Sequence, residues 1–331
     1  HTYYPPFLYR NECREYLENK LLAPHTKLDK DADPRDEKSY AKYVQKQYAP
    51  DLMYKEILDF VERSKDEPFA LFWTTPVPHV PLQAPEKWIK HYLEKFGDEE
   101  PYIGDKDYFP CRYPHATYAA MVSYWDEQIG GLVKKLKDLG IYENTVIIFT
   151  SDNGPSFNGG CDSPFFDSAK PFKSEGGWGK ASLREGGIRV PMIASWPGHI
   201  PAGTTSNHLS AFWDMMPTMC ELAGIEPPVT DGISMVQEML GKTEKQKKHE
   251  FLYWEFPEAG GQKALRMGDW KAFVKNIHNG GRKVELYDLS KDPREQNDVA
   301  EQHPDVVKKV LEIFRSEHTT PEIKKFEMPI W

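Results

Sequence analysis

Cysteine is scarce and scattered. The four in the chain are Cys13, Cys111, Cys161 and Cys220. No C-x-x-C pair occurs, and no Cys/His spacing suits a zinc site. Buried thiols and a single disulfide both fit this pattern, so the cysteines do not report a compartment. Positive charge is also in deficit. Lys and Arg number 42 against 51 Asp and Glu, for a net charge of −9. That balance argues against broad nucleic-acid binding, which needs a basic face to neutralise phosphates. No apolar run is long enough to span a bilayer. There is no internal repeat and no low-complexity tract. The first residue is His1 rather than a methionine, as expected for the inside of a longer protein.

What is present fits a folded chain. At 331 residues, with 39% apolar and 28% charged side chains, it can bury a sizeable core as one large domain or two unequal ones. Aromatic residues make up 13%, including nine Trp. They serve core packing, or sugar-ring stacking where a Trp is exposed.

Residues 51–65 read as an amphipathic helix, with Asp51 as its N-cap. Residues 69–75, FALFWTT, read as a buried strand running into the proline-rich loop Pro76-Val77-Pro78-His79-Val80-Pro81. A helix is expected from about 115 to 139, its apolar face carrying Tyr118, Met121, Val122, Trp125, Ile129, Leu132, Val133, Leu136 and Leu139. Asp126 and Glu127 on that helix read as solvated or structural. Residues 210–222 again carry helical spacing. From about 243 the pattern changes to short strand-like runs, 251–255, 263–267, 270–274 and 283–287, separated by Gly- and Asn-rich turns. A helix at about 304–317 packs on that sheet, and 319–331 reads as an extended wrap.

The informative stretch is 145–191. Val146-Ile147-Ile148-Phe149-Thr150 is apolar on both faces, as in a strand buried in a parallel sheet. It stops at Ser151-Asp152-Asn153-Gly154-Pro155, which places two oxygen-bearing side chains just past the strand's carboxyl end. Open α/β sheets bind ligands there. Asp and Asn offer hard oxygen ligands for Ca²⁺ or Mg²⁺, although Asp-Asn-Gly is also ordinary turn chemistry. Gly179-Lys180 follows, with Glu185-Gly186-Gly187-Ile188-Arg189-Val190-Pro191 and then Ile193-Ala194-Ser195-Trp196-Pro197-Gly198.

Together these segments resemble the formylglycine-dependent sulfatases of the alkaline phosphatase-like superfamily. The resemblance runs through essentially the whole chain, but only through the family's middle and C-terminal parts. It implies an α/β fold over residues 1–242, an alkaline phosphatase-like mixed or parallel sheet flanked by helices and incomplete at the N-terminus. A small antiparallel-sheet α+β subdomain follows over 243–331. It implies that Asp152 and Asn153 ligate a metal, Ca²⁺ or else Mg²⁺, and that Lys180 contacts the sulfate ester. The P-H-x-P match gives His79 a contact with the sulfate or its leaving oxygen; as a lone histidine between prolines it reads as structural. Asp214-Met215-Met216-Pro217-Thr218 and Asp231-Gly232-Ile233-Ser234 match structural motifs. Trp254, Glu255, Arg266 and His208 are candidates for sugar recognition.

The resemblance also exposes a gap. The family's nucleophile, a formylglycine, arises within a C/S-x-P-x-R motif, and no Cys or Ser of this chain begins one. Two further Asp ligands expected from an early strand are missing too. The activity implied is sulfate-ester hydrolysis on a carbohydrate or aryl sulfate. The site would be completed by a missing N-terminal part, and residues 1–331 alone would be inactive. A non-catalytic sulfated-glycan binder and a phosphodiesterase of the same superfamily are the alternatives. The family implies an exported protein. Ser156 stands where relatives have a His after D-N-G-P, and Phe256-Pro257-Glu258 where they have F-H-E. Both departures bear on which sugar is read.

Overall fold

The computed structural model describes residues 2–329. They divide into two compact units, His1–Glu143 with Ser156–Asp162, and Asn144–Pro155 with Ser163–Trp331.

The first unit opens with a hairpin, β1 (Phe7–Arg10) and β2 (Cys13–Tyr16). Three helices follow, α1 (Ala49–Ser64), α2 (Glu86–Phe96) and α3 (Pro114–Asp138). Its core is rich in tyrosine: Tyr3, Tyr4, Tyr48 and Tyr124 pack with Val77, Val80, Leu82 and Met121. The hydroxyls of Tyr3, Tyr48 and Tyr124 find acceptors, as buried polar groups must. Tyr48 donates to the Gln83 carbonyl (2.8 Å) and Tyr124 to Asp51 Oδ1 (2.5 Å). Asp51 thus sits in the first turn of α1 and serves Tyr124 rather than capping the helix, which Tyr48 precedes. The buried face of α3 keeps Met121 and Leu136 of the expected one, with Tyr118 and Trp125 packed at its edge, and adds positions not expected. Ala116, Thr117, Ala120, Met121, Tyr124 and Gln128 point inward, while Val122 is exposed. Hydrogen-bonded Tyr124 and Gln128 can be buried where apolar side chains were expected.

Residues 69–75 are extended but form no strand. One face packs on the helices: Trp73 stacks on Tyr54 (5.8 Å) and meets Trp125 edge-on (4.3 Å). The other face is open, and Phe72 is 90% exposed. The alternation of a strand is there, but no neighbouring strand among the described residues supplies the ladder.

The second unit begins with β3 (Ile147–Thr150). Short helices α4 (Ser163–Phe166) and α5 (Glu185–Ile188) follow, then β4 (Met192–Ser195). β3 pairs with β4 antiparallel, Ile147 opposite Ser195 and Thr150 opposite Met192. A parallel partner for β3, expected from its apolar character, does not occur among the described residues. Both faces of β3 are accordingly half-buried.

Helix α6 (Met215–Ala223) ends on left-handed Gly224, and α7 (Val236–Met239) follows. The two motifs read as structural lock together. Asp214, fully buried, accepts from the amides of Ala211 and Ile233 (both 2.8 Å) and from His249 Nε2 (2.8 Å). Thr218 Oγ1 donates to the Asp214 carbonyl and accepts from the Met235 amide. A Cβ on Gly232 would lie 2.0 Å from the Trp213 carbonyl oxygen, so only glycine fits there.

The C-terminal sheet is a four-stranded antiparallel meander, as expected. It comprises β5 (Leu252–Phe256), β6 (Gln262–Met267), β7 (Trp270–Val274) and β8 (Glu285–Asp288). Helix α8 (Pro304–Ser316) buries Val310, Ile313 and Phe314 against Leu265, Ala272, Val274 and Leu286. The tail carries a 3-10 turn at Lys324–Phe326, and its last two residues lie outside the described range. Among the described residues no cysteine forms a disulfide.

Candidate functional site

The turn after β3 and the glycine-rich block before α5 are zipped together through their backbones. The Gly154 amide donates to the Gly187 carbonyl (2.8 Å), and the Lys180 amide donates to the Pro155 carbonyl (2.9 Å). The glycines make this approach feasible. A Cβ on Gly154 would stand 1.9 Å from the Gly186 oxygen, and one on Gly186 would stand 1.8 Å from the Lys173 oxygen. Asp152, Asn153 and Lys180 are therefore carried on one rigid piece of backbone. Ala181, directly after Lys180, is held in the left-handed region at φ +67°. A non-glycine residue in that conformation costs about 1–2 kcal/mol, so the packing around it fixes where Lys180 leaves the chain.

Among the described residues, the Asp152 carboxylate and the Lys180 ammonium have neither an ion pair nor a hydrogen bond. Asn153 Nδ2 donates to the Gly154 carbonyl (2.8 Å), which sets the flip of its amide and leaves Oδ1 as an acceptor without a donor among the described residues. The donor set suits a hard cation in kind. It provides two of the roughly six to eight oxygens that Ca²⁺ takes. Among the described residues no group of three or more His, Cys, Asp or Glu could hold a metal ion.

Beneath this piece lies a buried charge network that sequence reasoning did not find. Glu185 is buried, and three cations surround it. Lys271 Nζ donates to Oε1 (2.9 Å), while Arg266 Nη1 (3.3 Å) and Arg189 Nη1 (3.4 Å) donate to Oε2. Burial works against ionising Glu185, but Lys271 and Arg266 outweigh it and hold the carboxyl below the usual range. The Glu185 amide donates to Glu295 Oε2 (2.8 Å). Glu295 is itself buried, its Oε1 has no hydrogen-bond partner, and burial raises its pKa. Arg184 stacks on Trp178 (3.7 Å) and Phe273 (4.2 Å) and pairs with Glu285. The Lys180 block is thus bolted onto the C-terminal sheet.

The sheet residues expected near a sugar are placed as follows. Arg266 is spent on Glu185 and on the Gly268 carbonyl (2.6 Å). Glu255 accepts from Lys263 (2.8 Å), His318 (2.8 Å) and Tyr253, tying the segment after α8 to β5 and β6. Trp254 is half-buried, with Trp213 at 5.7 Å and Lys271 Nζ 5.5 Å above its ring. His208 lines a separate 220 Å³ pocket with Asn207, Leu209, Glu238, Thr243 and Lys248, and its desolvation disfavours the protonated ring.

His79 belongs to the first unit. Its amide donates to the Pro76 carbonyl (2.7 Å), and Tyr3 Oη donates to the His79 carbonyl (2.6 Å). Nδ1 lies 2.6 Å from the Val80 carbonyl. A carbonyl only accepts, so Nδ1 carries a proton.

The family model for sulfatases matches residues 4–225, and that for the C-terminal part of N-sulphoglucosamine sulphohydrolase matches residues 174–318. The chain belongs to the sulfatase family. It is 34% identical over 197 residues to N-acetylgalactosamine-6-sulfatase of Canis lupus familiaris, covering 56% of this chain and 32% of that protein. It is 34% identical over 195 residues to human arylsulfatase A, covering 51% of this chain and 36% of that protein. Among solved structures it is similar to Ps i-CgsB in complex with k-i-k-neocarrahexaose. The TM-score is 0.65 at 29% identity, over 82% of this chain and 55% of that one. The fold is that of the sulfatase neighbours, and the chain spans about a third of the length of these curated relatives.

Proposed function

We propose that residues 1–331 belong to a sulfuric ester hydrolase acting on sulfated carbohydrate. The observation that carries this reading is the shared backbone frame of Asp152, Asn153 and Lys180, with the charged ends of Asp152 and Lys180 left unpaired. Lys180 would neutralise a sulfate oxygen as charge develops in the transition state. His79 would exchange a proton with the leaving alcohol. Asp152 and Asn153 Oδ1 would hold a Ca²⁺ or Mg²⁺ ion, which as a Lewis acid polarises the sulfate oxygens. Glu185, Arg266 and Lys271 position the Lys180 block from below. Trp254 is the sheet residue whose ring best fits a sugar contact.

The nucleophile, a formylglycine, and the remaining metal ligands would come from a segment of the same protein outside residues 1–331. The open face at Phe72 and the two-stranded pairing of β3 support that completion. The exported location implied by the family is part of the same proposal. No described helix is long and apolar enough to cross a membrane. A second reading, binding of sulfated glycan without hydrolysis, is favoured by the lack of a C/S-x-P-x-R motif in the chain.

Calcium titration of the whole protein, followed by thermal unfolding, tests the metal assignment without relying on turnover. The midpoint should rise with Ca²⁺, and Asp152→Ala should remove the rise. An equal rise in the variant would refute the assignment.

A further inference from the structure

The hairpin β1–β2 carries an aromatic platform that the site described above does not use. The register sets Phe7 opposite Tyr16 and Tyr9 opposite Arg14, so these four side chains share one face of the ribbon. Phe7 meets Tyr9 edge-on (5.6 Å) and Tyr16 edge-on (6.0 Å). Tyr9 is 60% exposed and Tyr16 is 76% exposed. The Arg14 guanidinium lies 4.8 Å from the Phe7 ring centre and 5.6 Å from that of Tyr9, and its Nε donates to Tyr9 Oη (2.9 Å).

The opposite face of the ribbon is built differently. Arg10 there is neutralised by Glu15 and by both carboxylate oxygens of Glu56 on α1 (2.5 and 2.9 Å), which anchors the hairpin. Arg14 has no carboxylate partner among the described residues. Its position is fixed by rings, and both of its Nη groups remain available as donors. A pre-oriented planar guanidinium with free donors recognises tetrahedral oxyanions. Exposed tyrosine rings beside it offer flat amphipathic surfaces for the apolar faces of sugar rings.

We propose that the Phe7–Tyr9–Arg14–Tyr16 face is an accessory docking surface for a sulfated glycan chain. Arg14 takes a sulfate group and the tyrosines stack on adjacent sugar rings. The inference rests on the sulfated-carbohydrate reading and adds to it a second binding surface, on the first unit. Charge complementarity selects this occupant: the Arg14 guanidinium, with no carboxylate partner among the described residues, is held against the Phe7 and Tyr9 rings beside exposed Tyr9 and Tyr16.

The test is titration of the whole protein with a chondroitin 6-sulfate hexasaccharide and with its desulfated form. Arg14→Ala and the Tyr9→Ala/Tyr16→Ala pair should each weaken binding of the sulfated probe about tenfold, the size expected for one good cationic or stacking contact. Thermal midpoints should not move, because these side chains are on the surface. The desulfated probe should bind the parent no better than the sulfated probe binds Arg14→Ala. Unchanged affinity in both hairpin variants would overturn the proposal, as would equal affinity for the two probes. A hairpin that instead carries the protein onto phosphatidylserine vesicles would overturn it too. The two readings fail separately. If only Lys180→Ala abolishes binding, the ester site stands and the hairpin surface falls. If the hairpin variants lose the hexasaccharide while 4-nitrophenyl sulfate is not hydrolysed, the surface stands and the hydrolase reading falls.

Discussion

The backbone amide of Lys180 donates to the carbonyl of Pro155 at 2.9 Å. This one bond, with its neighbour from Gly154 to Gly187, joins a turn bearing two oxygen donors to a loop bearing a cation.

Glu185 holds the joint to the C-terminal sheet. Removing it as Glu185→Ala leaves Lys271, which is 0% exposed, as a buried charge without its partner. Breaking a buried pair in this way costs about 3–5 kcal/mol. The native carboxyl is held below the usual range by Lys271 and Arg266. Its stabilising contribution is therefore present above the unfolded value of about 4.3, and is lost as pH falls through the lower folded value. Urea unfolding across that acid window should show the parent losing stability that Glu185→Ala never had.

Glu295 has the opposite sign. Burial raises its folded pKa, so the native state binds its proton more tightly than the unfolded state. Its penalty is absent below about pH 4.3, grows as pH rises to the folded value, and is constant above that. Glu295→Gln should unfold at a higher temperature than the parent at pH 7, with the gain vanishing near pH 4. A gain of the same size at both pH values would contradict the assignment.

Ala181 stands at φ +67°, where glycine is at ease and alanine is not. Ala181→Gly should stabilise the protein by about 1 kcal/mol. The measurement is the shift in the urea midpoint at unchanged m-value. A loss of stability would mean that the left-handed turn is not strained.

Apolar surface is left open on each unit. Phe72 is 90% exposed on an extended segment without a ladder partner, and Ile193 on β4 is 62% exposed. Uncovered strand edges of this kind pair with other chains. Residues 1–331 on their own should self-associate at about 100 μM, as sedimentation velocity would show. A clean monomer at that concentration would contradict the proposed completion by a further segment.

Much of this was legible in the sequence. The helices over 49–64, 114–138 and 304–316 and the four-strand meander announce themselves through periodicity and turn residues. The Ser151–Pro155 and Lys180–Pro191 motifs mark two segments that backbone hydrogen bonds join in the structure. What escaped depends on residues far apart in the chain. FALFWTT alternates like a strand, but a strand also needs a neighbour. Arg266 on β6 reads as a candidate for sugar recognition, and Lys271 on β7 carries no local signal. Their partner, Glu185, lies 81 and 86 residues away, and nothing local reveals that a second layer covers that face. Asp51 has the composition of a cap, yet a tyrosine hydroxyl from α3 competed for it and won.

The most direct test of the account is sulfate release from 4-nitrophenyl sulfate and from a 6-sulfated N-acetylgalactosamine. It should be measured for residues 1–331 alone, for the whole protein, and for the whole protein carrying Lys180→Ala. The account predicts turnover by the whole protein, a loss of about 100-fold or more in Lys180→Ala, and none by residues 1–331 alone. Undiminished turnover in Lys180→Ala, or hydrolysis by residues 1–331 alone, would contradict it.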